Sequence, residues 1–143
     1  MMDNGILIIA HAPLASALRQ GVAHVFPEAS ASVLALDVQA QDAPELSLAK
    51  ARDLCRPLQA GSVLILTDLL GATPCNVALE LTKDWQSGQA RLVAGVNMPM
   101  LLRAMTYRGE ALPNMLQKVL AAGAQCIVEV PADGPPAKSK GGT

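Results

Sequence analysis

The chain has 143 residues, room for one domain and a short appendage. Hydrophobic residues make up 51% of it and charged residues 16%, which excludes general disorder and allows a sizeable core. Eleven Lys and Arg against twelve Asp and Glu, with one Phe, one Trp and one Tyr, exclude the basic stripe and stacking platforms of a sequence-independent nucleic-acid binder.

In chain order, short apolar runs of β type alternate with longer segments of helical period, which predicts βαβ units around a parallel sheet. GILIIA (5–10), SVLILT (62–67) and RLVAGV (91–96) lack period-two alternation and read as strands buried on both faces. SVLALDV (32–38) alternates Val33, Ala35 and Asp37 against Leu34, Leu36 and Val38, as expected nearer a sheet edge. Between the first two strands, Leu14, Leu18, Val22 and Val25 form one helical stripe with Arg19 and Gln20 on the far side. Leu48, Ala51, Leu54, Cys55 and Leu58 form a second, ended by Pro57 and Gly61. Further helices are predicted at 74–84, 98–108 and 113–122, the first two introduced by Thr73-Pro74 and by Asn97 ahead of Pro99. A last apolar run, QCIVEV (125–130), ends at Pro131, and PADGPPAKSKGGT beyond it has no large apolar residue to bury. The expected organisation is a domain over 1–131 and a disordered tail over 132–143.

No apolar run approaches the ~20 residues needed to cross a bilayer, and no basic leader precedes the first strand, so a cytoplasmic protein is expected. Cys55, Cys75 and Cys126 are widely spaced, with no CxxC pair, and read as small core hydrophobes in a reducing compartment. GxGxxG, GxxxxGK[ST] and GxSxG are absent, which removes the commonest sequence grounds for a dinucleotide, NTP or serine-hydrolase site. With only two histidines, and His24 at the edge of the first helical stripe, neither a metal nor a cofactor is expected.

In an open parallel sheet, ligands bind outside the carboxyl ends of the strands at the topological switch point. His11 follows the first strand, Asp68 the third and Asn97 the fourth, so all three are expected in one crevice. A carboxylate bonded to one ring nitrogen fixes the imidazole tautomer and leaves the lone pair of the other free to attack. In LLGATPCN after Asp68, Gly71 permits a tight turn and Thr73-Pro74 opens a helix whose N-terminus is a ready anion site. One nucleophilic histidine, a carboxylate orienter and an anion cradle suit phosphoryl transfer through phosphohistidine.

Three segments, ILIIAH (6–11), the D-x-x-G-[GA]-[ST]-P-x-N pattern at 68–76 and GVN-x-PM-L at 95–101, carry a family resemblance. The chain resembles, over about residues 5–130, the EIIA component of the mannose-type (mannose/fructose/sorbose) family of the bacterial phosphoenolpyruvate-dependent sugar phosphotransferase system. The resemblance implies that His11 accepts a phosphoryl group from the phosphocarrier HPr and passes it to a IIB protein, with Asp68 orienting His11. It further implies that Gly71, Ala72 and Thr73 hold the phosphate and that Asn76, Asn97 and Met98 line the crevice or a partner surface. The implied fold is a three-layer α/β/α sandwich whose central sheet has four mainly parallel strands. A C-terminal antiparallel edge strand near 125–130 would be exchanged in a homodimer. The implied contact with the membrane is only indirect, through transporter components. Two positions depart from the family pattern: Ala12 stands where glycine commonly follows the histidine, and Leu70 where an aromatic often follows the aspartate. The chain stops at Thr143 without a fused IIB domain, so a separate acceptor is expected.

Three other functions fit the same residues. A regulatory sensor of phosphorylation state would keep the chemistry without transport, and the phosphoryl donor subunit of a dihydroxyacetone kinase has a similar first domain. A non-catalytic small-ligand binding module would use the same crevice without a nucleophile.

Overall fold

The computed structural model describes residues 3–135. Four parallel strands, β1 (Gly5–His11), β2 (Val33–Val38), β3 (Val63–Thr67) and β4 (Ala90–Ala94), form one sheet in the order β2-β1-β3-β4. The central position of β1 and β3 explains their unbroken apolar runs. Ile6 to Ala10 and Val63 to Leu66 are wholly buried, because side chains leaving both faces must meet helices. Each such Leu or Ile contributes roughly 1.5–3 kcal/mol by leaving water.

Alternation along the strands divides the core. Ile6, Ile8, Ala10, Leu64 and Leu66 pack under α1 (Leu14–Val25), α5 (Met98–Tyr107) and α6 (Leu112–Gln125). Leu7, Ile9, Val63 and Ile65 pack on the other face, under α3 (Pro44–Leu54) and α4 (Thr73–Leu81). A short α2 (Ala29–Ser32) leads into β2. The result is the three-layer α/β/α sandwich expected from the sequence.

The second helical stripe holds throughout, with Leu48, Ala51, Leu54, Cys55 and Leu58 all packed in the core of their face, and the first holds at Leu18 and Val22 but not at its ends. On α1, Ala15 and Val22 are wholly buried, whereas Leu14 and Val25 at the two ends are exposed. Arg19, assigned to the far side, instead turns its guanidinium inward to the carbonyls of Val33 (2.7 Å) and Ser30. The second predicted helix stops at Leu54, and Pro57 and Leu58 form a separate 3₁₀ turn. The Nε1–H of buried Trp85 donates to the Leu58 carbonyl (3.3 Å), tying the chain ahead of β4 to that turn.

The antiparallel edge strand expected over 125–130 does not form within this chain. Helix α6 continues to Gln125, and residues 127–130 have no strand partner among the described residues. Ile127, Val128 and Val130 are left exposed there. The predicted tail is described only to 135; the remainder of 132–143 lies outside the described residues.

Candidate functional site

Chain reversal brings His11 and Asp68 together. The connection after β1 passes through α1 on one face of the sheet and that after β3 through α4 on the other. The two neighbouring strands therefore open a crevice between their carboxyl ends. His11 is the last residue of β1, and Asp68 directly follows β3.

The geometry is that of an oriented imidazole. His11 Nδ1 lies 2.7 Å from Asp68 Oδ2, and the His11 backbone N–H donates to the same oxygen at 3.2 Å. Burial of the Asp68 carboxyl opposes its ionisation. The hydrogen bonds from the His11 ring and backbone and the charge of the imidazole outweigh that cost and hold its pKa below the ordinary carboxylate value. An ionised carboxylate can only accept, so Nδ1 carries a proton, and in the neutral ring Nε2 keeps the lone pair. The His11 side chain is 51% exposed and that of Asp68 13%: the imidazole faces out and the carboxylate is held inside.

A cleft of about 420 Å³ adjoins the ring, lined by His11, Val38, Gln39, Asp42, Thr73 and Pro74. Gly71 adopts φ +83°, a left-handed turn that glycine makes at no steric cost, and this sets Ala72 and Thr73 at the head of α4. No side chain caps that helix and its first turn holds no acid, and Asp42, which lines the same cleft, is paired with Lys50 at 2.8 Å. Pro74 supplies no N–H there, so the orphan amides are those flanking it.

Of the other expected site residues, Asn76 stays with the Gly71 turn, whereas Asn97 and Met98 separate from it. Asn76 lies one turn along α4, exposed, with its side-chain nitrogen 3.5 Å from the Gly71 carbonyl. Asn97 is the N-cap of α5: its Oδ1 accepts from Met100 N–H (3.0 Å) and its Nδ2 donates to the Gly123 carbonyl of α6 (3.2 Å). Met98 packs toward α1, where a Cβ on Gly21 would meet its sulfur at 3.2 Å. Both are taken up by helix packing, which a linear motif does not disclose. His24 is exposed, as expected. Cys55 and Cys75 are buried as predicted, and burial pushes the Cys55 thiol pKa up; Cys126 is exposed instead. No group of three or more His, Cys, Asp or Glu among the described residues is arranged to hold a metal, and no helix among them is long and apolar enough to cross a membrane.

One pair escaped the sequence reading. Asp37 near the end of β2 accepts from the Ser16 N–H (3.0 Å) and from its hydroxyl, anchoring the first turn of α1. The only trace in the sequence is an acid in the phase of Val33 and Ala35.

A family model described as the PTS system fructose IIA component, of the EIIA-man family, matches residues 5–121. The chain belongs to the mannose-type EIIA family of the sugar phosphotransferase system. The sorbose-specific EIIA component of Lacticaseibacillus casei is 30% identical over 97 residues, 68% of each chain. Among solved structures, the mannose/sorbose-specific IIA subunit from Enterococcus faecalis superposes with a TM-score of 0.80 at 24% identity, covering 96% of this chain and 100% of that one. The phosphotransferase system component EIIA from Streptococcus agalactiae gives 0.78 at 23%, covering 87% and 95%. At those identities the two structures establish the fold of this EIIA chain, and the family match establishes its system.

Proposed function

We propose that this EIIA protein is a phosphohistidine carrier, taking a phosphoryl group from HPr on His11 and delivering it to a histidine of a IIB protein for carbohydrate uptake. The observation that carries this is the 2.7 Å pairing of His11 Nδ1 with Asp68, which leaves Nε2 as an exposed nucleophile beside an uncapped helix end. The lone pair on Nε2 attacks phosphorus in line. As the Nε2–P bond forms, the N–P bond of the donor phosphohistidine breaks and its electron pair returns to the donor ring. The Nδ1 proton stays in place throughout, so no general base is needed.

The phosphorylated ring is cationic, and the Asp68 carboxylate offsets that charge. The amides and hydroxyl around Gly71, Ala72 and Thr73 stabilise the phosphoryl oxygens. Breaking and making like bonds keeps transfer near balance and reversible in both directions. Exposed Leu69 and Leu70 beside Asp68 give partners an apolar footing, with Leu70 serving where an aromatic often stands.

A homodimer completes this reading. β4 is an open sheet edge and residues 127–130 carry exposed Ile127, Val128 and Val130, which fits exchange of this segment as an edge strand between subunits. The deciding experiment is transfer of label from phosphoenolpyruvate through enzyme I and HPr to this protein, with His11→Ala beside it. Label on the wild type and none on the variant is expected. Labelled HPr with no label on either protein would overturn the carrier role and favour a binding module.

A further inference from the structure

Two helix N-termini flank His11, and the fold treats them in opposite ways. α4 presents its first turn with neither cap nor acid of its own, and the carboxylate that lines its cleft from another element, Asp42, is engaged by Lys50 rather than by the helix. At α1 the N-cap residue is Pro13, which offers no side-chain bond, and no acid lies in the first turn of the helix itself. The missing group comes from another element. Asp37, paired in register with Ala10, reaches from β2 and takes both the N–H and the hydroxyl of Ser16.

Strand alternation sorts the pieces. Ala10 and Asp37 face α1, while His11 shares the opposite face with Val38 and lines the cleft with Thr73 and Pro74. A carboxylate at the head of α1 cancels the positive end of that helix and would repel a second anion. The same bonds fix the turn that leaves His11, where Ala12 N–H donates to the Val38 carbonyl at 3.0 Å.

We propose that Asp37 is a positioning residue that closes the N-terminus of α1 to anions, so that a phosphoryl group on His11 is received on the α4 side alone. This rests on the carrier reading above. Asp37→Asn keeps the shape and one acceptor oxygen but removes the charge and the second acceptor, so the variant melts somewhat lower than wild type. Its equilibrium with phosphorylated HPr shifts toward the phosphoprotein by about two- to fivefold, the size of one charge at a helix terminus. Ser16→Ala keeps the charge and loses one hydrogen bond; it melts lower and moves the equilibrium less than Asp37→Asn does.

A second measurement needs no phosphoryl transfer. In an amide NMR titration with inorganic phosphate, Thr73 and Cys75 shift in both proteins, whereas Leu14 and Ala15 shift only in Asp37→Asn. An unchanged transfer equilibrium in Asp37→Asn overturns the proposal, as do Leu14 and Ala15 amides that respond equally to phosphate in both proteins. A wild type that takes no label from labelled HPr refutes the carrier reading instead, and the phosphate titration then decides the role of Asp37.

Discussion

Replacing Asp68 by Asn separates the two services that the carboxylate performs for His11. Both hydrogen bonds from His11, at 2.7 Å from the ring and 3.2 Å from the backbone, end on Oδ2. Only an oxygen can accept from a backbone N–H, so the Asn carbonyl takes that place and the amide nitrogen falls where Oδ1 lies, buried and unpartnered. The tautomer with Nδ1–H therefore survives, and what is lost is the charge that, in the proposed carrier, faces the cationic phosphorylated ring. A bond to a charged group is worth about 1.5–3 kcal/mol and a neutral one about 0.5–1.5, so the loss is about 1–1.5 kcal/mol. Transfer from HPr should slow by about five- to fifteenfold, measured by quenched-flow transfer of labelled phosphate. Transfer at the wild-type rate would refute charge compensation. A loss as complete as in His11→Ala would refute the claim that the Asn oxygen preserves the tautomer.

The remaining predictions test the surrounding structure. Gly71→Ala forces a Cβ onto a residue at φ +83° with open space around it, so the cost is backbone strain of about 1–2 kcal/mol, read as a lower melting temperature together with slower transfer. Asn97→Ala removes the cap of α5 and its link to Gly123, costing ~0.5–2 kcal/mol of stability while transfer keeps its wild-type rate. The depressed pKa of Asp68 stabilises the fold at pH above the ordinary value of 3.8, and that stability is lost as pH falls through the lower, folded value. Denaturation followed by circular dichroism below pH 4 should therefore show a steeper loss for wild type than for Asp68→Asn.

Local chemistry alone decided much of this protein. The unbroken runs of β1 and β3 announced central parallel strands, since only burial on both faces favours nine apolar side chains, Ile6 to Ala10 and Val63 to Leu66, with no polar alternation. The positions of His11 and Asp68 at strand ends, and of Thr73-Pro74 at a helix start, were legible for the same reason: caps, turns and strand ends are set by near neighbours in the chain.

Long-range packing decided the rest. That His11 and Asp68 touch depends on β1 and β3 being adjacent, although 57 residues separate the two side chains. Asn97 comes three residues after the end of β4, and the antiparallel pairing of α5 with α6 commits its amide to the Gly123 carbonyl. The stripe on α1 holds at Leu18 and Val22, whereas Leu14 and Val25, though correctly spaced, lie at the helix ends and stay exposed. Asp37 read as one acid in an edge strand, and its partner Ser16 stands 21 residues away on another element. A sequence states which groups are present and their local geometry; which pairs meet is fixed only when the whole sheet has chosen its strand order and its helices have chosen their faces.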